Sequence, residues 1–437
     1  MTSVQSKGAH RGAAGPASRL FSAPRIVLAL LCLLYLILFV NRVNIATAAP
    51  LIKADLHLTN TQLGLVFSAF AIPYAVFQLI GGWVGDKFGP RLTLSVCCAL
   101  VSLFTILIGA AGGFASLFVF RLGLGFAEGA AFPTATRAMS EWMPVRDWGF
   151  AQGITHAFAR IGNALTPPLM ALLLLVASWR LSLVILGVAS LIWLIVWASY
   201  FRNDPRSHAG VTASDLAELP SPRERMRPAI PWFRLARHIL PVTLVDFCYG
   251  WTLWLFLSWI PAFFFENYHL NLQASSLFSA GVLLAGVMGD AAGGIATDRL
   301  LRKTGRVGAA RRVVIVTGFI GALVFLTPVV LFHSLAIAAV CLSLAFFFAE
   351  LIVAPIWAVP MDIAPRYAGS ASGMMNFGFG IAGLISPSTF GYLVDRTGSW
   401  VFPFVCSILL LLAGALLALR LRPDRKFDPA AEQAVPA

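Results

Sequence analysis

Gly81-Gly82-Trp83-Val84-Gly85-Asp86 closes one apolar stretch of the chain, and Gly293-Gly294-Ile295-Ala296-Thr297-Asp298 closes another in its second half. A second mark repeats at nearly the same interval. Gly149-Phe150-Ala151-Gln152-Gly153 is answered by Gly369-Ser370-Ala371-Ser372-Gly373, each behind a proline and an arginine (Pro144 and Arg146; Pro365 and Arg366). Two independent marks at almost one interval describe a duplicated chain. In each copy the first mark follows the second apolar stretch and the second mark opens the fifth, so the copies run parallel and hold six stretches each.

Outward from these marks the chain reads as membrane. It has 437 residues, of which 59% are hydrophobic and 12% charged, and a mean hydropathy of +0.82, well above what a soluble surface of mixed charges permits. Twelve stretches reach the roughly 20 residues that a spanning helix needs: 26–49, 61–84, 91–112, 115–139, 148–176, 181–201, 238–263, 273–297, 312–332, 335–359, 367–392 and 399–420. Pro73, Pro133, Pro167, Pro168, Pro261, Pro355 and Pro387 fall inside them; in a membrane these kink helices that their neighbours re-satisfy. No segment alternates apolar and polar residues as a barrel strand does. The expected fold is an all-α membrane protein of twelve transmembrane helices in two pseudo-symmetric six-helix bundles. Residues 26–201 and 238–420 form the bundles, 202–237 is a Pro-, Arg- and Ser-rich cytoplasmic linker, and 1–25 and 421–437 are cytoplasmic tails.

The net charge of +13 is a statement about topology. With the amino terminus inside, only Lys53, Arg180 and Arg396 of the 32 Lys and Arg residues lie outside, and Arg42, Arg121 and Arg160 lie within spans. All others are cytoplasmic, the positive-inside pattern of a multi-pass protein of the cell inner membrane with both termini in the cytoplasm. Nucleic acid is therefore not an expected partner; anionic lipid headgroups are a secondary one. The acid-poor segment 1–25 resembles a transit peptide in composition, but the span behind it carries candidate functional residues, so it reads as a tail. The six cysteines sit in apolar spans without metal-ligand spacing and read as packing residues.

An ionisable side chain within a span costs about 2.5–3.5 kcal/mol on insertion scales and is a functional candidate by default. Arg42 lies in FVNRVNIATAAP of span one, and Arg121 and Glu128 in RLGLGFAEGAAFPTATR of span four. The two spans run in opposite directions and place both guanidiniums about 9–12 Å below the outer boundary, where two planar donor forks can close on one carboxylate. Glu128 lies two turns deeper on the face of Arg121; an anion that occupies the arginines would favour a proton on Glu128, which is a physical route to proton coupling. Arg160 in span five is a third embedded cation, either a second anion-binding point or the partner of Glu128. His156, one turn earlier, reads more readily as a packing residue. Among other embedded acids, Asp246 carries no assignment, Asp290 lies shortly before Asp298 and fits the second-half gate, and Glu350 in FFFAELIVAP is a candidate second proton site. Tyr249 and Trp254 in the aromatic span seven are candidate cavity residues.

GGWVGDKFGPR (Gly81 to Arg91) resembles the signature loop of the major facilitator superfamily, and GGIATDRLLRKTG (Gly293 to Gly305) its second-half echo. In that reading the glycines permit close helix packing, while Asp86, Arg91 and Asp298 belong to a gate that pairs charges in one conformation only. N-R-V-N in span one with R-x-G-x-G-x-x-E-x-x-x-x-P in span four is similar to the anion:cation symporter branch, which carries sugar acids and related organic anions. The resemblance implies that Arg42 and Arg121 bind the substrate carboxylate, that Glu128 carries the proton and that Asn376 in GMMNFGFG is a polar substrate contact. Asn41 stands where many sugar-acid members have an Asp; it is counted with the substrate contacts, and Glu350 is the candidate to replace the missing acid.

The expected function is proton-coupled symport of a small organic anion by a monomer, driven by the proton gradient with no cofactor or metal. The alternatives are an organic-anion exchanger and a non-transporting sensor of the same fold. No nucleophile–base set and no GxxxxGK[ST] loop points to an enzyme.

Overall fold

The computed structural model describes residues 22–144, 147–219, 231–364 and 367–427. Among these every regular element is a helix. The first half holds α1 (Ala23–Asp55), α2 (Asn60–Phe88), α3 (Pro90–Gly109), α4 (Phe114–Gly129), α5 (Ala131–Trp142), α6 (Trp148–Val176) and α7 (Trp179–Tyr200). A short helix, α8 (Ala213–Glu218), lies in the connection. The second half holds α9 (Trp232–Ala262), α10 (Leu272–Thr304), α11 (Val307–Leu331), α12 (Leu335–Glu350), α13 (Val353–Ile363), α14 (Ala368–Thr397) and α15 (Phe402–Leu419). Twelve helical runs are long and apolar enough to cross a membrane, with α4–α5 together making span four and α12–α13 span ten. The chain is thus a multi-pass helical protein of two six-span bundles. Span one begins at Ala23 and span seven at Trp232, in both cases earlier than the starts read from hydropathy, because Pro24 sits in the first helical turn and the polar first turn of α9 continues the helix beyond its apolar part.

The breaks in spans four and ten have one cause. Pro133 has no N–H to offer the carbonyl of Gly129, and Pro355 none for that of Leu351. Each helix therefore stops and restarts in mid-membrane, at Ala130 and at Leu351–Ile352. The signature glycines pack on these breaks. A Cβ on Gly81 would strike the backbone of Ala130, and one on Gly293 the carbonyl of Leu351, so glycine at these two places sets how closely span two approaches span four and span eight approaches span ten.

The halves meet along three seams, α2 with α14, α6 with α10, and α1 with α9. On the face opposite the connection, here the far face, two polar contacts among the described residues cross between them. Lys53 at the end of α1 pairs with Glu266 beyond α9 at 2.9 Å, and Asp395 near the end of α14 accepts from the N–H groups of Asn60 (3.1 Å) and Thr61 (2.6 Å) at the start of α2. A carboxylate on a helix N-terminus is favoured by the exposed N–H groups and the helix dipole. These contacts hold the two halves together at the far face. Toward the connection, here the linker face, His156 is exposed between Tyr35 of its own half and Trp357 of the other (ring centroids 5.6 and 6.2 Å).

Candidate functional site

Arg42 comes from the middle of α1 and Glu128 from the last turn of α4, next to the proline-induced break. The guanidinium donates twice to one carboxylate oxygen, Nη2 at 2.7 Å and Nε at 3.2 Å from Oε2. Both groups are sealed: Arg42 is 5% exposed and Glu128 0%. Four rings enclose the guanidinium, Phe39 and Tyr74 at 4.5 Å, Phe70 at 4.8 Å and Phe132 at 5.7 Å from its central carbon. Phe70 also lies 5.1 Å from the guanidinium of Arg121, so one ring serves both cations, as cation–π contact in a desolvated site allows.

Among the described residues Arg121 has no carboxylate of its own. Its Nη1 reaches the carbonyl of Arg42 at 3.5 Å, its Nε has no partner, and neither has Oε1 of Glu128. At 2% exposure this is a buried cation with unused donors beside a buried acid with an unused acceptor. Leaving such groups unpaired is costly, and two cations against one acid leave a single positive charge for an anion to balance. The cluster connects to the other half through neutral groups: Tyr74 lies against Arg42 and Gln78, and Gln78 accepts from the amide of Asn376 on α14 at 2.6 Å.

Arg160 on α6 turns away from Glu128. Its Nη2 is 3.0 Å from Glu350 at the end of α12, and its Nε is 3.4 Å from Asp290 on α10. The Tyr249 hydroxyl on α9 approaches the same glutamate at 3.4 Å. The pairing of Arg160 with Glu128 entertained from the sequence is thus corrected, because α6 presents this residue to the α10 seam and not to α4. Asp290 likewise belongs to this cluster and not to the gate loop.

Asn41 faces away from Arg42. Its amide donates to the carbonyl of Ile37 and to Ser190 on α7, at 2.9 and 3.1 Å, since adjacent helical positions diverge by about 100°. Arg91 donates to the carbonyl of Ala198 at 2.6 and 3.0 Å, while its own N–H is held by Asn203; it ties the start of α3 to the end of α7 within one half, where a gate charge was expected to reach a partner that changes. Asp298 is largely exposed, 4.0 Å from Arg311, whose closer partner is Asp362 at 2.9 Å. The side chain of Asp86 lies outside the described residues, as do Arg146, Pro365 and Arg366. Trp254 donates to the carbonyl of Phe379 and so holds α9 to α14.

The profile of the Major Facilitator Superfamily matches residues 31–387. The chain belongs to the Major Facilitator Superfamily. It is similar to a probable sulfoacetate transporter of Cupriavidus necator, 47% identical over 94% of this chain and 96% of that one. It is also similar to a hexuronate transporter of Bacillus subtilis, 31% identical over 92% and 95%. In fold it resembles the inward-facing, unoccupied structure of a bacterial homologue of the lysosomal transporter Spinster, with a TM-score of 0.74 at 16% identity over 95% and 100% of the two chains. This facilitator is a membrane transporter, not an enzyme, and its relatives carry small organic anions.

Sequence reading missed the aromatic box of Phe39, Phe70, Tyr74 and Phe132 and the Gln78–Asn376 link. It also missed a repeat that was visible. Glu128-x-x-x-x-Pro133 recurs as Glu350-x-x-x-x-Pro355 at close to the interval of the other marks, and in each half of the facilitator it places a glutamate at the break of the fourth span.

Proposed function

We propose that this facilitator is a proton-coupled symporter of the anion:cation branch that takes up a small organic anion across the inner membrane, with both termini in the cytoplasm. The observation that carries the reading is the sealed Arg42–Glu128–Arg121 cluster, with its one unbalanced positive charge and its unused donor on Arg121. Glu128 holds Arg42 as a substrate carboxylate would. When Glu128 takes a proton, Arg42 and Arg121 are both released to grip an incoming carboxylate in two-fold, planar fashion; when the anion leaves, Glu128 gives up its proton and returns to Arg42. Substrate and proton thereby travel together. The relatives' sulfoacetate and hexuronate support an anion of this size and charge, and Tyr74, Gln78 and Asn376 supply neutral hydrogen-bonding groups on one path from the cation pair.

The test is uptake of labelled sulfoacetate, hexuronates and dicarboxylates into proteoliposomes with and without an inward proton gradient. Wild type accumulates its substrate only with the gradient, Arg121→Ala abolishes uptake, and Glu128→Gln leaves exchange that ignores the gradient. Gradient-independent counterflow in wild type, unchanged by Glu128→Gln, would replace this reading by an exchanger.

A further inference from the structure

Arg160, Glu350 and Asp290 form a charged contact that crosses between the halves deep in the spans, away from the Lys53–Glu266 pair at the far face. The cation belongs to the first half and both acids to the second. On the opposite seam the positions that match Asp290 and Arg160 are uncharged, while Glu128, the match of Glu350, pairs with Arg42 inside its own half. There Gln78, the first-half equivalent of Asp290 by the interval of the glycine marks, meets Asn376, the second-half equivalent of His156 on the helix that carries Arg160. Packing of the two halves at this depth is thus satisfied by a pair of amides, and the charged version calls for a different explanation.

Counting charge supplies one. With every group ionised the cluster carries one excess negative charge, the reverse of the excess around Arg42. Glu350 is fully buried, whereas the side chains of Arg160 and Asp290 are 14% and 20% exposed, and His156, one turn from Arg160, lies between Tyr35 and Trp357. The buried acid is thus in contact with two partly exposed charged groups along which a proton can reach it. The groups facing Glu350 are Arg160 from α6, Asp290 from α10 and Tyr249 from α9, with Asp246 one turn before Tyr249. From α11, Gly318 and Gly321 lie beside Phe348 and Ile352 and bring no charge.

We infer that Arg160, Glu350 and Asp290 are a proton-binding clamp between the two halves. A proton delivered to the Glu350 carboxylate neutralises the excess charge and removes one of the two attractions that hold Arg160 across the seam, leaving Asp290 alone at its longer distance. The α6–α10 seam loosens, and loss of the proton tightens it again. The clamp rests on the reading of the chain as a proton-driven carrier, and adds to the acid at the anion site a second one that acts on the movement of the halves.

The experiment needs no substrate, so it stands apart from the uptake assay. Amide hydrogen exchange of the full chain in nanodiscs is measured at about pH 5.5 and about pH 8 and corrected for intrinsic rates. In wild type, exchange along Trp148–Val176 and Leu272–Thr304 is faster at the lower pH by on the order of tenfold. Glu350→Gln, which imitates the protonated acid, is fast at both. Arg160→Gln is fast at both as well and serves if the first variant does not fold, while Arg160→Lys keeps the wild-type response. A wild type without pH response, a Glu350→Gln protein that keeps the wild-type response, or one protected at both values overturns the clamp.

Discussion

Arg42 and Arg121 differ in what holds them, and the difference predicts how each responds to substitution. Arg42 is boxed by four rings and bonded to Glu128, whereas among the described residues Arg121 has direct contact with Phe70 and a carbonyl and no bond to the acid. Replacing Arg121 with Lys keeps the charge and loses the planar fork. Uptake kinetics of Arg121→Lys should show KM raised about tenfold, equivalent to roughly 1.4 kcal/mol of lost binding, with the gradient requirement intact because Glu128 is untouched. An unchanged KM would mean that Arg121 acts as a point charge.

At the scale of the helix, the breaks at Ala130 and Leu351 turn the fourth span of each half into a site. A proline shortly beyond a glutamate frees the carbonyl in between and ends the helix where the glutamate stands. Gly81 and Gly293 then bring the second and eighth spans onto the breaks. Gly81→Val forces a side chain into the backbone of Ala130, and overpacking of this kind costs about 1–3 kcal/mol; thermal unfolding of the purified protein should move to lower temperature by several degrees. Gly153→Ala meets nothing within 4 Å and, because alanine favours the helix over glycine, should not lower the midpoint. The motif that marks the duplication in the sequence is thus a packing device, and its glycines were legible as such from their spacing. The partners of its charges were not: Arg91 is spent on a carbonyl of its own half.

For the molecule as a whole, the halves are held together at the far face by Lys53–Glu266 and by Asp395 over the start of α2. The first is a partly exposed pair, worth about 0.2–1 kcal/mol, so breaking it shifts a conformational balance without destroying it. Lys53→Glu should slow uptake by a few-fold and increase labelling of far-face residues by a membrane-impermeant reagent, and Lys53→Glu combined with Glu266→Lys should restore both. Failure of the double exchange to restore them would leave Asp395 as the far-face latch.

The span count, the parallel duplication and the short roster of embedded charges can be read along the chain, because hydropathy, glycine motifs and the cost of a charge in lipid are local properties. Arg42, Arg121 and Glu128 were on that roster for this reason. Their partners follow from the packing of the helices. Arg160 meets Glu350 and Asp290 instead of Glu128, Asn41 turns to Ser190, and Asn376 finds Gln78 across the seam. A span apolar on nearly every side carries little periodicity to say which way it is rotated, and that rotation, set by packing against neighbours far away in sequence, selects which buried charges face one another.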